Sequence, residues 1–225
     1  DGDSNYGAFS PAVSYSRQAN RYMLAWQGDD NNSPLADNEY EIFGELLRGR
    51  DGIPVSANDW RISNMGADTL FNARDAAIAY NSSGNEFLVV WSGDDNEELF
   101  DNFSEIYGQR VDAVSGEEIG SDFRISFMWG EADPTLPPTE NKGIAPAVAY
   151  NSTNDEYLVV WRGDAEDMDD DEIFGQRIDA SSGLLLGSNF RISFMGPEGD
   201  DDAYVYAPAV AYGETNNQYM VVWHG

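Results

Sequence analysis

The sequence predicts an all-β fold, a β-propeller of four-stranded antiparallel blades present as three full repeats and a half repeat. The 225-residue chain repeats the same segments three and a half times, each full repeat has four strand-length runs, and no stretch has helical periodicity. The repeats predict one domain over 1–225, with blades at about 6–72, 73–142 and 143–205 and a half blade at 206–225.

A tryptophan marks the same point in every repeat. Each one ends a continuous apolar run such as Tyr157-Leu-Val-Val-Trp161, whose length and β-branched and aromatic content are typical of a buried strand. We expect these side chains to be buried between blades rather than to form an exposed platform for sugars. The four tryptophans recur 62 to 70 residues apart: Trp26, Trp91, Trp161 and Trp223.

The other three runs complete the predicted blade. The first run is small and apolar, as in Ala145–Tyr150, and an Asn-Ser turn joins it to the second run. The third run, Ile173–Ile178, is mixed on one face and polar on the other, and the fourth, Phe190–Ser193, alternates as an exposed outer strand does. Small residues at the axis, bulky ones between blades and polar ones at the rim are typical of a propeller.

This succession of strands resembles the repeats of bacterial TolB-like propellers. In that family a Pro-Ala strand, an apolar strand and an Ile-Tyr-x-x-Asp-x-x-Gly strand follow each other, as the runs beginning at Ala145, Tyr157 and Ile173 do. The resemblance covers nearly the whole chain. It implies an extracellular bacterial propeller repeat protein.

The chain is strongly acidic, with 41 Asp and Glu against 12 Lys and Arg and a net charge of −29. Such a surface lacks the cations that bind phosphate, which excludes nucleic acid as a partner, and no apolar run reaches the roughly 20 residues that membrane insertion needs. The absence of cysteine excludes thiolate catalysis and cysteine zinc sites. The single histidine, His224, excludes a Ser-His-Asp triad and a His-ligated metal centre.

An acidic loop joins the second and third runs of each full repeat. Each loop begins with Gly-Asp and ends with Glu, and antiparallel pairing brings these two ends close together. Crowded carboxylates raise each other's pKa unless a cation neutralises them, and oxygen ligands in a flexible loop suit Ca²⁺ better than Mg²⁺. A solvated hairpin tip is the alternative. The predicted calcium ligands are Asp29, Asp37, Glu41, Asp94, Asp101, Glu105, Asp164, Asp169 and Glu172.

Arginines also recur at matched places. The fourth run carries Arg61, Arg124 and Arg191, and the third run ends with Arg110 and Arg177, where the first repeat has Arg48. With so few cations in the chain, we expect these arginines to pair with carboxylates of the same or the next blade.

The function predicted from these features is a non-catalytic structural or adhesive module, not an enzyme, located outside the cell or on its surface and stabilised by calcium. An active site usually occupies one place that differs from the other repeats, whereas the loop carboxylates recur in each full repeat. The half blade would leave an open strand edge, which predicts a homo-oligomer or a filament completed by a strand of a neighbouring chain, with glycans as further partners. Two alternatives stay open: a carbohydrate-binding lectin, and a polysaccharide hydrolase that uses a carboxylate pair.

Overall fold

The structure is a computed structural model that describes residues 7–29, 39–66, 72–94, 104–128, 143–164, 171–195 and 205–225. Within these ranges the chain forms fourteen strands in three four-stranded sheets and one two-stranded sheet, with a single turn of 3₁₀ helix at Glu214–Asn216. The predicted all-β fold of three blades and a half blade is confirmed. No helix in the described ranges is long and apolar enough to cross a membrane.

Strands follow one another within each sheet in chain order, and every neighbouring pair is antiparallel. Blade one contains β1 (Ala8–Ser16), β2 (Arg21–Asp29), β3 (Tyr40–Arg48) and β4 (Trp60–Arg61). Blade two contains β5 (Arg74–Asn81), β6 (Glu86–Gly93), β7 (Glu105–Asp112) and β8 (Glu118–Arg124). Blade three contains β9 (Gly143–Asn151), β10 (Glu156–Asp164), β11 (Asp171–Asp179) and β12 (Leu185–Arg191). The half blade contains β13 (Tyr206–Gly213) and β14 (Gln218–His224).

Every blade therefore has two ends. We call the end where the first strand begins, the second ends and the third begins the loop end, and the opposite one the turn end. At the turn end, a tight turn joins the first two strands, and in blades two and three an asparagine stabilises it. Asn81 accepts hydrogen bonds from the N–H groups of Ser83 and Gly84, as asparagine commonly does in such turns.

The core consists of apolar side chains packed between neighbouring blades. All eight residues of β6 are buried, and they alternate between the two faces of blade two. Phe87 and Trp91 pack toward blade one, whereas Leu88 and Val90 pack toward blade three. Trp91 and its equivalent Trp161 are fully buried between blades as predicted, whereas Trp26 and Trp223 are half-buried. Burial of each such side chain stabilises the fold by about 1.5–3 kcal/mol.

The first strands of successive blades lie side by side, since β5 contacts both β1 and β9, and β9 contacts β13. Small side chains such as Ala77 and Ala147 allow this close approach. The fourth strand lies on the outer side, and β8 is accordingly exposed or half-buried throughout. The predicted order of polarity, from a small inner strand to a polar rim, is confirmed.

A bulge interrupts the start of every first strand. One residue there has a positive φ of 47° to 55°, a left-handed conformation that residues other than glycine seldom adopt. The ladder with the second strand shifts register at the same point, so the bulge turns the local side chains away from the regular pleat. The four bulge residues are Ser10, Asp75, Ala145 and Ala207.

The half blade has one covered face and one exposed face. Val221 and Trp223 pack against blade three, whereas Met220 and Val222 are more than half exposed. The predicted association of chains through this half blade stays a prediction. A mass measurement in solution tests it: a concentration-dependent increase above 24.9 kDa supports association, and a mass that stays at that value contradicts it.

Candidate functional site

A buried glutamate lies at the start of the third strand of each full blade. In blade two, Glu105 accepts hydrogen bonds from the Ser126 hydroxyl, from the Met128 N–H at 3.0 Å and from the Arg124 guanidinium. Both carboxylate oxygens are therefore used by the chain that leaves the fourth strand. We call the glutamate, the serine and the methionine of each blade the glutamate clamp. The other two clamps are Glu41–Ser63–Met65 and Glu172–Ser193–Met195.

Each glutamate clamp also links its blade to the next one through the methionine. The Trp161 indole N–H donates to the Met128 sulfur at 3.2 Å, and Trp91 donates to Met65 at 3.4 Å. Glycine two residues after the tryptophan allows this approach, because a Cβ on Gly93 would lie 2.3 Å from the Met65 sulfur. The clamp is therefore part of the framework that holds successive blades together.

The predicted pairing with carboxylates is found for five of the six recurring arginines, including Arg48 with Asp51, whereas Arg61 Nη1 is buried without a hydrogen-bond partner. Arg124 and Arg191 pair with the clamp glutamates of their own blades. At the turn end, Arg110 pairs with Glu86 at 2.8 Å, and Arg177 pairs with the equivalent Glu156.

The nine predicted calcium ligands separate into three groups. Glu41, Glu105 and Glu172 are the clamp glutamates, with the internal partners just described. Asp29 and Asp94 are buried at the ends of their second strands, and Asp164 ends β10, where the structure does not describe its side chain. The part of the chain that the structure describes contains no cluster of three or more potential metal ligands. The remaining predicted ligands lie outside the described residues: Asp37, Asp101 and Asp169.

Beside the repeated clamps, the loop end contains positions that differ in every blade. The first and second strands meet there in a cross-strand pair of changing chemistry, aromatic and amide in one blade, cationic and hydroxyl in the next. Repetition is therefore lost in this cross-strand pair at the loop end. The four pairs are Phe9–Gln27, Arg74–Ser92, Ile144–Arg162 and Tyr206–His224.

A pocket of about 340 Å³ opens at this end, at the junction of blades two and three. The start of β5 supplies a cation and a carboxylate, and the end of β6 supplies a hydroxyl and a second carboxylate. We call it the loop-end pocket. Its lining residues are Asn72, Arg74, Asp75, Ser92, Asp94, Ser104 and Ile144.

Asp75 is the residue of this pocket that most clearly breaks the repeat. It occupies the bulge position, where the other three copies have serine or alanine, and its left-handed backbone turns an exposed side chain out of the pleat. The Gln27 amide oxygen of blade one accepts the Asp75 N–H at 3.2 Å, which fixes the bulge from the neighbouring blade. The other pocket carboxylate, Asp94, is 6% exposed.

Fixed cations lie beside the carboxylates of the loop end. Arg74 lies over the Tyr40 ring at 5.7 Å, so its guanidinium is held near the pocket wall. At the next junction, Arg162 lies 5.0 Å from the centre of the Tyr206 ring and 3.1 Å from an Asp171 oxygen. Carboxylate, guanidinium and aromatic groups together are suited to bind and polarise a sugar, since they offer hydrogen bonds and an apolar face.

Sequence reasoning missed Asp75 and the clamp methionines. The methionines recur two residues after the clamp serine, and this spacing is visible in the sequence. Asp75 is visible as the single carboxylate before a first-run alanine, but the register of the bulge is needed to place it beside Asp94 in a pocket.

Comparison of the structure with solved proteins shows the same architecture. A thermostable family-43 glycoside hydrolase superposes with a TM-score of 0.60 and 15% identity, covering 96% of this chain and 65% of the other. An endo-arabinase from Bacteroides thetaiotaomicron gives 0.57 and 13%, covering 96% and 70%. An N-acetylgalactosamine deacetylase from F. plautii gives 0.57 and 12%, covering 99% and 64%. The chain is a β-propeller and spans about two thirds of the length of these proteins. Its sequence matches no protein-family model and no curated protein.

These neighbours overturn the expectation of a non-catalytic structural or adhesive module and the prediction that the chain is not an enzyme, because they are carbohydrate-processing enzymes. The prediction was wrong because it assumed that every carboxylate recurs at the same place in each repeat. The clamp glutamates do recur in this way, but Asp75 does not. At 12–15% identity the likeness establishes the fold, and the activity of this chain is a proposal.

Proposed function

We propose that the chain is the propeller of a polysaccharide hydrolase whose loop-end pocket uses Asp75 and Asp94 as its carboxylate pair. One observation carries the proposal: both carboxylates line one pocket, beside Arg74, at the point where the repeat is broken. Glycoside hydrolysis generally needs two carboxyl groups, one to protonate the leaving oxygen and one to activate water or attack the sugar.

The proposal divides the work of the pocket among its residues. The exposed side chain of Asp75 is accessible to a sugar and to an attacking water. Asp94 lines the same pocket and is buried, and the Arg74 guanidinium is available to bind sugar hydroxyls or to stabilise charge on a carboxylate. The endo-arabinase among the structural neighbours makes arabinan the first polysaccharide to test.

The test is release of reducing ends from arabinan, galactan and xylan by the wild type, Asp75→Asn and Asp94→Asn. We expect each substitution to lower the rate about 100-fold or more, because general acid–base groups contribute that much. Asp59→Asn is the matched control, since this exposed aspartate precedes β4 outside the pocket. Binding without cleavage would replace hydrolase with lectin, and cleavage unaffected by Asp75→Asn would contradict the assigned site.

Calcium in the acidic loops remains a separate proposal, as does a location outside the cell or on its surface. A cation that binds only the native state stabilises it by mass action, by about 2.7 kcal/mol at 100 times the dissociation constant. Chelation is therefore expected to lower the melting temperature by several degrees, with recovery on addition of Ca²⁺ but not of equal Mg²⁺. An unchanged melting curve with chelator at low salt would contradict calcium binding.

A further inference from the structure

A cluster of arginines lies at the turn end of blade one, on the opposite end of the blade from the loop-end pocket. It contains four of the twelve cationic residues of a chain whose net charge is −29. Two lie on paired strands, and the other two lie in the adjoining turns. We call these four residues the arginine cluster: Arg17, Arg21, Arg48 and Arg50.

The register of the strands shows that blade one reverses a charge pattern found in the other blades. Arg21 of β2 lies directly opposite Arg48 of β3. The same cross-strand pair is acidic in the other full blades: Glu86–Asp112 in blade two and Glu156–Asp179 in blade three. Like charges directly opposite each other are unfavourable unless a counter-charge is bound.

The compensating partner of the other blades is also changed. In blade two the pair includes an internal counter-charge, because Arg110 binds Glu86. The register places Leu46 at the position of Arg110, so Arg48 is not the counterpart of Arg110 that the sequence suggested. Blade one therefore has two cations facing each other, and Leu46 supplies no carboxylate at the place where Arg110 supplies the counter-charge in blade two.

One carboxylate serves the cluster. Asp51 lies 2.9 Å from Arg50 and 3.3 Å from Arg48, and the hydrogen bond from Arg50, with the nearby charges of Arg48 and Arg21, lowers the pKa of Asp51. Arg48 Nε lies within ion-pair distance of Asp51 but does not point at it as a hydrogen-bond donor would. The Nε atoms of both Arg21 and Arg48 are buried without a hydrogen-bond acceptor. Arg21 Nη1 also donates to the main-chain oxygens of Ala19 and Asn20 at 3.3 and 3.1 Å. Even with these, the guanidinium donors of the cluster exceed the acceptors that the described residues supply.

We propose that the arginine cluster binds the carboxylate or sulfate group of an acidic glycan. Guanidinium groups bind planar oxyanions through paired hydrogen bonds, which a point charge such as ammonium cannot match. The net charge of −29 repels a dense polyanion, so the ligand carries isolated acidic groups on an otherwise neutral chain. The choice of a glycan rests on the proposed function. The cluster would anchor a substrate outside the loop-end pocket.

Calorimetry tests this with three probes at low salt: a xylo-oligosaccharide bearing one glucuronic acid, the same oligosaccharide without it, and inorganic sulfate. We expect the acidic oligosaccharide to bind and the neutral one not to bind at this cluster. The double variant Arg48→Gln/Arg50→Gln should weaken binding about tenfold or more. A rise from about 20 mM to about 200 mM salt should weaken binding by a similar factor, because salt screens the attraction between the charges. Asp51→Asn should strengthen binding, because it removes the competing carboxylate.

Controls separate this proposal from the proposed function. Lys142→Gln removes one positive charge elsewhere in the chain and should leave binding unchanged, and Arg17→Gln serves as a milder variant if the double variant melts early. Equal binding of the two oligosaccharides, or unchanged binding in the folded arginine variants, would overturn the site. Sulfate binding as tight as that of the acidic oligosaccharide would overturn the glycan. A wild type that binds the acidic oligosaccharide but hydrolyses no polysaccharide would reject the proposed function and leave the arginine site standing.

Discussion

Two sets of residues lie side by side at the loop end, and they differ in how they vary along the chain. The glutamate clamps repeat in all three full blades with the same partners. In the loop-end pocket, Arg74 and Asp75 have no counterpart of the same kind in the other blades, whereas Asp94 recurs as Asp29 and Asp164. The comparison teaches that repetition in this molecule marks structure, and that loss of repetition marks the candidate site.

The largest effect that sharpens this comparison is expected at a buried tryptophan. Trp161→Ala should lower the free energy of unfolding by about 3–5 kcal/mol, because it leaves a cavity between blades and removes the donor to Met128. Chemical denaturation measures it. Phe194→Ala is the control, since this ring is 73% exposed, and it should cost less than about 1 kcal/mol. Equal costs would show that the blades do not depend on this contact.

The clamp of blade one should make the stability of the protein depend on pH. Burial raises the pKa of Glu41 to about 7, and the hydrogen bonds from Ser63 and Met65 offset this only in part. Arg61 contributes little relief, since its Nη1 is buried without a hydrogen-bond partner. A raised folded-state pKa contributes stability that is complete below pH 4.5 and is lost as the pH rises through 7.

The experiment compares the wild type with Glu41→Gln by denaturation from pH 4 to pH 8, a range of about four units around the raised value. Glutamine imitates the protonated form, so the wild type should lose stability relative to the variant as the pH rises, by on the order of 3 kcal/mol. Repulsion among the other carboxylates is common to both proteins, so it cancels in the difference between them. A difference that does not change with pH would show that Glu41 titrates near its ordinary pKa.

The smallest effect is expected at the clamp sulfur. Met128→Leu keeps the volume but removes the acceptor of the Trp161 N–H, so it should cost about 0.5–1.5 kcal/mol and shift the tryptophan fluorescence. Met220→Leu is the matched control, because this methionine is 67% exposed. If both variants melt alike and emit alike, the sulfur contact contributes nothing beyond packing.

The sequence allowed the blades to be predicted because their determinants are local. Strand-length apolar runs, the tryptophan at the end of the second strand and the turn asparagines all act within a few residues. The role of Glu105 could not be read in this way. It follows an acidic loop and resembles a loop carboxylate, but its partners Ser126 and Met128 lie more than twenty residues later and approach only through the register of β7 and β8.

The candidate pocket was hidden for a related reason. Asp75 is one carboxylate among 41 acidic residues, and only the bulge brings it out of the pleat and beside Asp94. The facing pair Arg21–Arg48 was also hidden, because the sequence repeats align Arg48 with Arg110, and only the register shows that it faces Arg21. In each case the decisive information is which residues face each other across a ladder, and composition does not contain it.

The left-handed residue at the start of each first strand has an evolutionary consequence. Serine, aspartate and alanine all occupy this conformation with nearly the same φ, so the backbone there does not depend on the identity of the side chain. A gene that grows by duplicating one blade therefore acquires, with every copy, an interchangeable position that points the same way. Chemistry can be rewritten at such a position by a single codon change while the inherited architecture stays intact.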